Sequence, residues 1–206
     1  ADRLAGMAAP AAPADLLGAA AVGRHGARLP FLLKVLAIGA PLSIQLHPDD
    51  AQAAEGFARE EAAGVALDDP TRTYHDPHAK PEILVALRTT WALAGFRTGD
   101  DAAGRLVDAG GAAAELAGAA AGRPDARDAF VALLRSDGDR RRALAAVAAA
   151  TAASGDDDDP ATWVGRLAEA YPGDPTALAP LVLDLIRLEP GQAVFLPAGV
   201  PHAYLR

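Results

Sequence analysis

The segment PLSIQLHPDD, residues 41–50, places three polar side chains at alternate positions among aliphatic ones. If the segment is a strand, its period of two puts Ser43, Gln45 and His47 on one face and the aliphatic side chains on the other. Residues two apart on a strand lie about 6.5–7 Å apart, so an amide oxygen and an imidazole here could bind one metal ion together. The alternative is the polar outer face of an ordinary edge strand.

Two residues elsewhere in the chain could complete such a site. Glu82 stands in HAKPE at the head of a predicted strand, where Pro81 keeps Lys80 out of helical geometry. His202 stands in GQAVFLPAGVPHAY, and its spacing G-x5-P-x4-H matches the second half-motif of cupin barrels, in which the histidine points inward to a metal. The alternatives are a surface carboxylate and a hairpin histidine. With the Q-x-H pair, the two residues form a plausible N2O2 donor set for zinc.

Lysine usage singles out two more residues. Of the 19 basic residues, 17 are arginine, and Lys34 and Lys80 are the two lysines. Arginine can serve most surface roles of lysine, so these two positions are candidates for a specific function.

Hydrophobic patterning predicts the elements that position these residues. The apolar run LPFLLKVLAI at 29–38 predicts a strand buried on both faces. Residues 49–64 predict a helix with acidic residues at its amino end. The stretch 82–87 predicts a strand that follows a loop rich in proline and aspartate. Between about 98 and 180 the alanine-rich sequence predicts four or five helices, and strand patterns return at 181–206.

Composition argues against several classes of function. The net charge of −8 and pI near 5.0 argue against a nucleic-acid partner, and the run Arg140–Arg142 is interpreted as a solvated helix face. With no cysteine, any metal must use nitrogen and oxygen ligands. The block GDDDDP lacks the spaced ligands and central glycine of a calcium loop and predicts a solvated helix start. No segment predicts a membrane span, and a reducing cytoplasm is the expected compartment.

Several separate motifs together resemble the type I mannose-6-phosphate isomerase (phosphomannose isomerase) family. They are LPFLLKVL, PLSIQLHPDD, GFAREEAAGVALDD, TYHDPHAKPEILVAL, LAGFR and EPGQAVFLPAGVPHAYL, within residues 29–97 and 181–205. The resemblance implies a mixed β and α fold: a partial cupin-type jelly-roll β-barrel with an inserted α-helical domain. In that division residues 1–97 are the amino-terminal part of the barrel, 98–180 the insertion and 181–206 the return to barrel strands.

The resemblance also implies an activity and its residues. It is a zinc-dependent interconversion of mannose 6-phosphate and fructose 6-phosphate through an enediol, with one Zn²⁺ per chain, as part of mannose metabolism and GDP-mannose biosynthesis. The implied zinc ligands are Gln45, His47, Glu82 and His202. The implied sugar-phosphate contacts are Ser43, Lys34 and Lys80. Lys80 is also a candidate for proton transfer, and the main catalytic arginine is expected beyond Arg206.

Departures from the family pattern leave other interpretations open. Where the family usually has Asn-His before Lys-Pro-Glu, this chain has His78-Ala79, and most of the family's amino-terminal strands are missing. We therefore expect the 206 residues to be a fragment or a gene remnant. The alternative function is a non-catalytic cupin that binds a sugar phosphate or a metal as a sensor or scaffold. A cupin oxygenase fits less well, because such enzymes usually present more histidines and use iron.

Overall fold

The structure, a computed structural model, describes residues 13–26 and 31–206. The chain divides into two compact units, Ala1–Ala37 and Ile38–Arg206. Within the first unit, helix α1 spans Pro13–His25. The second unit contains the remaining helices and all strands of the described ranges.

The apolar run at 29–38 does not form the predicted buried strand. Residues 31–38 have no regular structure, and the two residues before them lie outside the described ranges. Phe31, Leu33 and Val35 are 64%, 84% and 82% exposed. The prediction is wrong for the described part of the run, because a strand is held by backbone hydrogen bonds to a neighbour and the sheets of the described ranges consist of other segments. An apolar pattern indicates a preference for burial but cannot supply a partner.

Helix α2, Asp50–Ala62, confirms the helix predicted at 49–64 with slightly shorter bounds. The Asp49 side chain accepts a hydrogen bond from the backbone N of Gln52 at 2.8 Å. In return, the Asp49 backbone N donates to Gln52 Oε1 at 3.2 Å. This capping box satisfies backbone donors that have no partner inside the helix, so the helix begins directly after the HPD sequence.

The loop that follows α2, residues 63–81, is attached to that helix although it has no regular structure. The side chain of Arg72 is fully buried and donates to the carbonyl of Tyr74 at 2.8 Å and to Glu61 Oε1 at 2.6 Å. The Tyr74 ring packs so close to Gly56 on α2 that a Cβ there would overlap it. These contacts hold the loop in one path on its way to the next strand.

Five strands form two antiparallel sheets in the described residues. They are β1 Glu82–Val85, β2 Thr90–Phe96, β3 Leu183–Leu188, β4 Ala193–Leu196 and β5 His202–Tyr204. One sheet has the order β3-β2-β5, and the other pairs β1 with β4. β1 confirms the strand predicted at 82–87, and β3, β4 and β5 confirm the strand patterns predicted within 181–206, whereas β2 was not predicted. They do not close into a barrel within the described ranges.

Helices occupy the chain between β2 and β3. They are α3 Gly99–Ala109, α4 Gly111–Ala114, α5 Ala117–Ala120, α6 Arg127–Leu134, α7 Gly138–Ala150, α8 Pro160–Ala170 and a 3-10 helix at Pro175–Leu181. There are more of them than the four or five predicted, because α4 and α5 are single turns. One hydrophobic core includes Leu106 and Trp163 from the helices and Leu93 and Leu183 from the three-stranded sheet. The helices therefore support that sheet directly.

The acidic block Asp156–Asp159 begins α8, as predicted, and also contacts the sheet. Asp159 Oδ1 accepts from the backbone N of Ala161 at 2.9 Å, which caps the helix. Trp91 Nε1 on β2 donates to Asp158 Oδ1 at 2.9 Å. The block therefore links the start of a helix to the three-stranded sheet.

The architecture is a mixed fold of α-helices and β-strands, as the sequence predicts at that level. The arginine run Arg140–Arg142 on α7 is exposed, which confirms its interpretation as a solvated helix face. Among the helices of the described ranges, none combines the length and the apolar character that crossing a membrane would require.

Candidate metal centre

His202 is the most buried member of the candidate site, with 2% of its surface exposed. It begins β5 and pairs with Ala94 of β2. Its Nδ1 lies 3.0 Å from the carbonyl oxygen of Val200. A carbonyl can only accept, so Nδ1 donates this hydrogen bond, and Nε2 is the nitrogen left to bind a metal. That Nε2 is buried without a hydrogen-bond partner. An oriented, partly desolvated imidazole nitrogen is a suitable metal ligand.

Glu82 brings a carboxylate to the same place from the first position of β1. Its Oε1 lies 3.0 Å from His47 Nε2, and its Oε2 lies 3.4 Å from His202 Nε2. Its Oε2 also accepts a hydrogen bond from the Tyr204 hydroxyl at 2.7 Å. Burial acts to raise the pKa of Glu82, but the Tyr204 hydroxyl and the two histidines outweigh it and hold that pKa below its ordinary value. The carboxylate is therefore anionic near neutral pH, as a metal ligand requires.

A backbone hydrogen bond and the helix cap that follows in the chain fix the position of His47. Its carbonyl accepts from the backbone N of Gly199 at 2.9 Å, and Pro48 and the cap of α2 follow directly. Its ring centroid lies 5.4 Å from that of His202. The side chain is partly exposed, at 23%. His47 is therefore less shielded from solvent than His202.

His47, Glu82 and His202 form a group that matches the spacing of metal ligands. One ligand atom from each lies within 4.8 Å of the others. Two ligands at about 2.0–2.1 Å from a tetrahedral zinc ion are about 3.4 Å apart. Of the two histidine-to-carboxylate distances, the one from His202 equals that value at 3.4 Å, and the one from His47 is slightly shorter at 3.0 Å. The donor set of two imidazoles and a carboxylate is also one that zinc prefers.

Gln45 is placed beside His202 by strand pairing. The two residues form an isolated antiparallel bridge, in which Gln45 N donates to His202 O at 2.8 Å and His202 N donates to Gln45 O at 2.9 Å. Side chains of directly opposed residues rise on the same face of a sheet. Backbone hydrogen bonds also join Leu42 N to Tyr204 O and Gly199 N to His47 O. The predicted strand at 42–47 therefore lies along β5, but only Gln45 forms a regular bridge, and Leu42 and Leu46 are exposed.

Lys80 lies two residues before Glu82 and is exposed. Its Nζ pairs with Asp76 Oδ2 at 3.2 Å. In the residues between them, the backbone N of His78 donates to Asp76 Oδ1 at 3.1 Å and that of Ala79 donates to Asp50 Oδ1 at 2.9 Å. The departure His78-Ala79 therefore occurs in a turn with fixed backbone contacts. No side-chain contact of His78 is recorded in the described residues.

The remaining predicted contacts are less constrained. Ser43 is exposed, two residues before Gln45. Lys34 is exposed in the irregular stretch of the first unit. The substrate roles of these two residues and of Lys80 stay predictions.

Tyr204 is a site residue that sequence reasoning missed. It lies two residues after His202 on β5, is buried, and donates to the candidate ligand Glu82. Burial and the hydrogen bond to Glu82 raise the pKa of Tyr204 well above its ordinary value, so it remains a donor. The signal was its spacing, because residues two apart on a strand share a face.

Comparison with known proteins identifies relatives of this chain. The family model for the phosphomannose isomerase type I catalytic domain matches residues 7–99. The mannose-6-phosphate isomerase of Escherichia coli K12 is 39% identical over 195 residues, which are 93% of this chain and 49% of the relative. The Mus musculus protein of the same name is 31% identical over 216 residues, covering 93% and 48%. The chain spans about half the length of the curated relatives it matches.

Solved structures give the same result. A zinc-bound mannose 6-phosphate isomerase superposes with a TM-score of 0.80 and 38% identity, over 92% of this chain and 48% of the other. The Salmonella typhimurium enzyme bound to its substrate, fructose 6-phosphate, and to zinc gives 0.79 and 38%, over 92% and 49%. In sequence and in structure, this chain belongs to the type I phosphomannose isomerase family.

Proposed function

We propose that Gln45, His47, Glu82 and His202 bind one zinc ion. The observation that carries this proposal is the buried Nε2 of His202, which faces the carboxylate of Glu82 and has no hydrogen-bond partner. A buried polar atom without a partner is costly, and a cation coordinated by it removes that cost. Zinc-bound relatives of the same fold support the choice of metal.

The proposed reaction is the interconversion of mannose 6-phosphate and fructose 6-phosphate. Support comes from relatives named mannose-6-phosphate isomerase at 31–39% identity and from a neighbour bound to fructose 6-phosphate. The reaction moves a proton between C1 and C2 of the sugar through an enediol. When bound, zinc supplies a Lewis acid that stabilises negative charge developing on the sugar oxygens.

The other predicted residues have roles in binding and proton transfer. Ser43 precedes the two ligands Gln45 and His47 at the spacing of a common strand face, so we assign it to the sugar. Lys80, held by Asp76 two residues before Glu82, is assigned to the phosphate or to the proton. Lys34 is assigned to the phosphate on the resemblance alone. An ammonium group suits either role, because it is a compact cation with three donors.

The proposed architecture around the site is a partial cupin-type barrel with a helical insertion. Its support is topological: β2 and β3 are adjacent antiparallel strands, yet the whole helical segment separates them along the chain. In this proposal residues 1–97 and 181–206 supply the barrel, and 98–180 are the insertion. The insertion shares its core with the sheet rather than having a separate one.

The test measures metal content and isomerisation on the purified full-length protein. We expect one zinc per chain, and fructose 6-phosphate formation from mannose 6-phosphate that a chelator abolishes and added zinc restores. Active protein without metal would contradict the zinc proposal. Loss of activity in Lys80→Ala, with metal content unchanged, is expected if Lys80 acts on the substrate.

A second candidate is a metal or sugar-phosphate binding protein without catalysis. The observation in its favour is the replacement of the usual Asn-His by His78-Ala79 next to Lys80. In that case the protein binds one zinc and protects it from a chelator, but forms no fructose 6-phosphate at any substrate concentration. The same two measurements therefore separate the candidates.

A further inference from the structure

We propose that Tyr204 is a positioning residue that fixes the carboxylate of Glu82 for metal binding. The inference rests on the metal centre proposed above. The Tyr204 hydroxyl donates to Oε2 of Glu82 at 2.7 Å, while Oε1 is directed at His47 Nε2, 3.0 Å away. Oε2, held by Tyr204, also lies 3.4 Å from His202 Nε2, so the hydroxyl fixes the orientation in which each carboxylate oxygen faces one histidine.

The donor is rigid because of where it lies. Tyr204 is 7% exposed and occupies the last position of β5, paired with Ala92 of β2. Its ring belongs to a small apolar cluster with Ala92 and Leu196. Strand pairing and burial fix the ring, so the hydroxyl has little freedom to leave Glu82.

The acceptor needs this support. The Glu82 side chain is 35% exposed, and fixing a flexible glutamate side chain costs rotamer entropy. A hydrogen bond to a carboxylate is about twice as strong as one between neutral groups, and the length here is that of such a bond. Tyr204 therefore orders the carboxylate before a metal arrives, which lowers the cost of binding.

A residue that hydrogen-bonds to a metal ligand, without binding the metal itself, changes metal affinity more than it changes folding. Its removal typically weakens metal binding about 10–100-fold. The Phe variant of Tyr204 keeps the ring and its packing and removes only the hydroxyl. The effect on metal affinity can therefore be measured apart from any effect on the core.

The experiment compares Tyr204→Phe with Tyr171→Phe in the whole protein. Tyr171 is a matched control, because its hydroxyl also donates to an oxygen, the carbonyl of Pro41 at 2.5 Å, which does not belong to a candidate ligand. Zinc affinity is measured by competition with a chromophoric chelator, and the unfolding temperature of the metal-free protein is measured alongside. We expect about 10–100-fold weaker zinc binding for Tyr204→Phe and unchanged binding for Tyr171→Phe. The visible absorption of the cobalt-substituted protein should also change in Tyr204→Phe, because it reports ligand geometry.

A double-mutant cycle tests whether Tyr204 acts through Glu82. If it does, Tyr204→Phe adds no further loss of affinity in a Glu82→Ala background. Equal losses in both backgrounds, or equal zinc affinity in Tyr204→Phe and the parent protein, would overturn the inference. A parent protein that binds no zinc would instead overturn the proposed metal centre, so the two failures are distinguishable.

Discussion

The two sheets of the second unit differ in how they are supported. The three-stranded sheet shares one core with the helices, and its Leu93 and Leu183 are almost completely buried. The two-stranded sheet of β1 and β4 has one face in a small cluster, while Ile83 and Phe195 on the other face are 68% and 63% exposed. A two-stranded sheet alone is marginally stable. The second sheet therefore depends on its contacts with the rest of the unit.

The candidate metal centre draws one ligand from each sheet. His202 comes from the supported sheet and is 2% exposed, whereas Glu82 comes from the marginal pair and has a side chain 35% exposed. Tyr204 connects the two-stranded sheet to the three-stranded one, and the loop before β1 is attached to α2 through Arg72. The difference between the sheets thus explains why the carboxylate, and not the buried histidine, requires extra positioning contacts.

Removal of the ligand on the supported sheet should have the largest effect. We expect His202→Ala to weaken zinc binding by more than about 100-fold, beyond the range typical of residues that only hydrogen-bond to a ligand, because a ligand itself is lost. His78→Ala is the matched control and should bind zinc as the parent does. Chelator competition gives both affinities, and comparable values for the two variants would contradict the assignment of His202.

Equivalent truncations in the two sheets should differ in stability. Leu183→Ala on β3 removes a fully buried side chain and should lower the free energy of unfolding by about 2–5 kcal/mol. Ile83→Ala on β1 removes a largely exposed one and should change it by less than about 0.5 kcal/mol. Urea denaturation of the metal-free protein measures both. Similar losses would mean that the two sheets are supported alike.

Loss of Arg72, which holds the loop at 63–81 against α2, should loosen the part of the site that carries Glu82. Arg72→Ala removes a fully buried guanidinium and leaves the Glu61 carboxylate and a carbonyl without their donor. We expect a loss of about 1–3 kcal/mol, since the carbonyl of Tyr74 loses a charged donor, whereas Glu61, with 51% of its side chain exposed, can be solvated. Hydrogen exchange should accelerate across residues 63–81. Arg140→Ala, on an exposed helix face, is the control, and its exchange should match that of the parent.

The smallest expected effect is the loss of electrostatic stabilisation at Asp101, a residue of α3 that pairs with Arg97 and Arg105. Burial acts to raise the pKa of Asp101, but hydrogen bonds from Arg105 and Arg97 outweigh it and lower that pKa. A lowered pKa in the folded state adds stability above the unfolded value of about 3.9, and this contribution is lost as pH falls through the folded pKa. Asp101→Asn should therefore cost less than about 1 kcal/mol at pH 7, because the side chain is half exposed, and almost nothing near pH 2–3.

Asp184, which also lies near Arg97, has a pKa shifted in the opposite direction to that of Asp101. Burial raises its pKa, and the attraction of Arg97 does not cancel this effect. A raised pKa in the folded state gives stability at low pH that is lost as pH rises through that value. Asp184→Asn should therefore leave stability at pH 7 unchanged or slightly higher. Urea midpoints of both variants at pH 7 and near pH 3 test the two signs, and a parallel pH dependence would contradict them.

Local chemistry made several elements predictable. The cap at Asp49 and good helix formers specified α2, and the alternation of polar residues put Gln45 and His47 near a common site. The apolar stretch at 29–38 failed because the pattern cannot show whether a partner strand is present. Tyr204 was missed because its role depends on Glu82, 122 residues away along the chain.

The sequence alone therefore determined the donor types, their local spacing and the family. Side-chain chemistry and short-range periodicity are properties of neighbouring residues, so they can be read without a fold. Only the tertiary structure decided that Glu82, His47 and His202 meet within 4.8 Å, that His202 Nε2 is the nitrogen left without a partner, and that Tyr204 holds the carboxylate. Those facts depend on strand register and on packing between residues far apart in the chain, which no local pattern specifies.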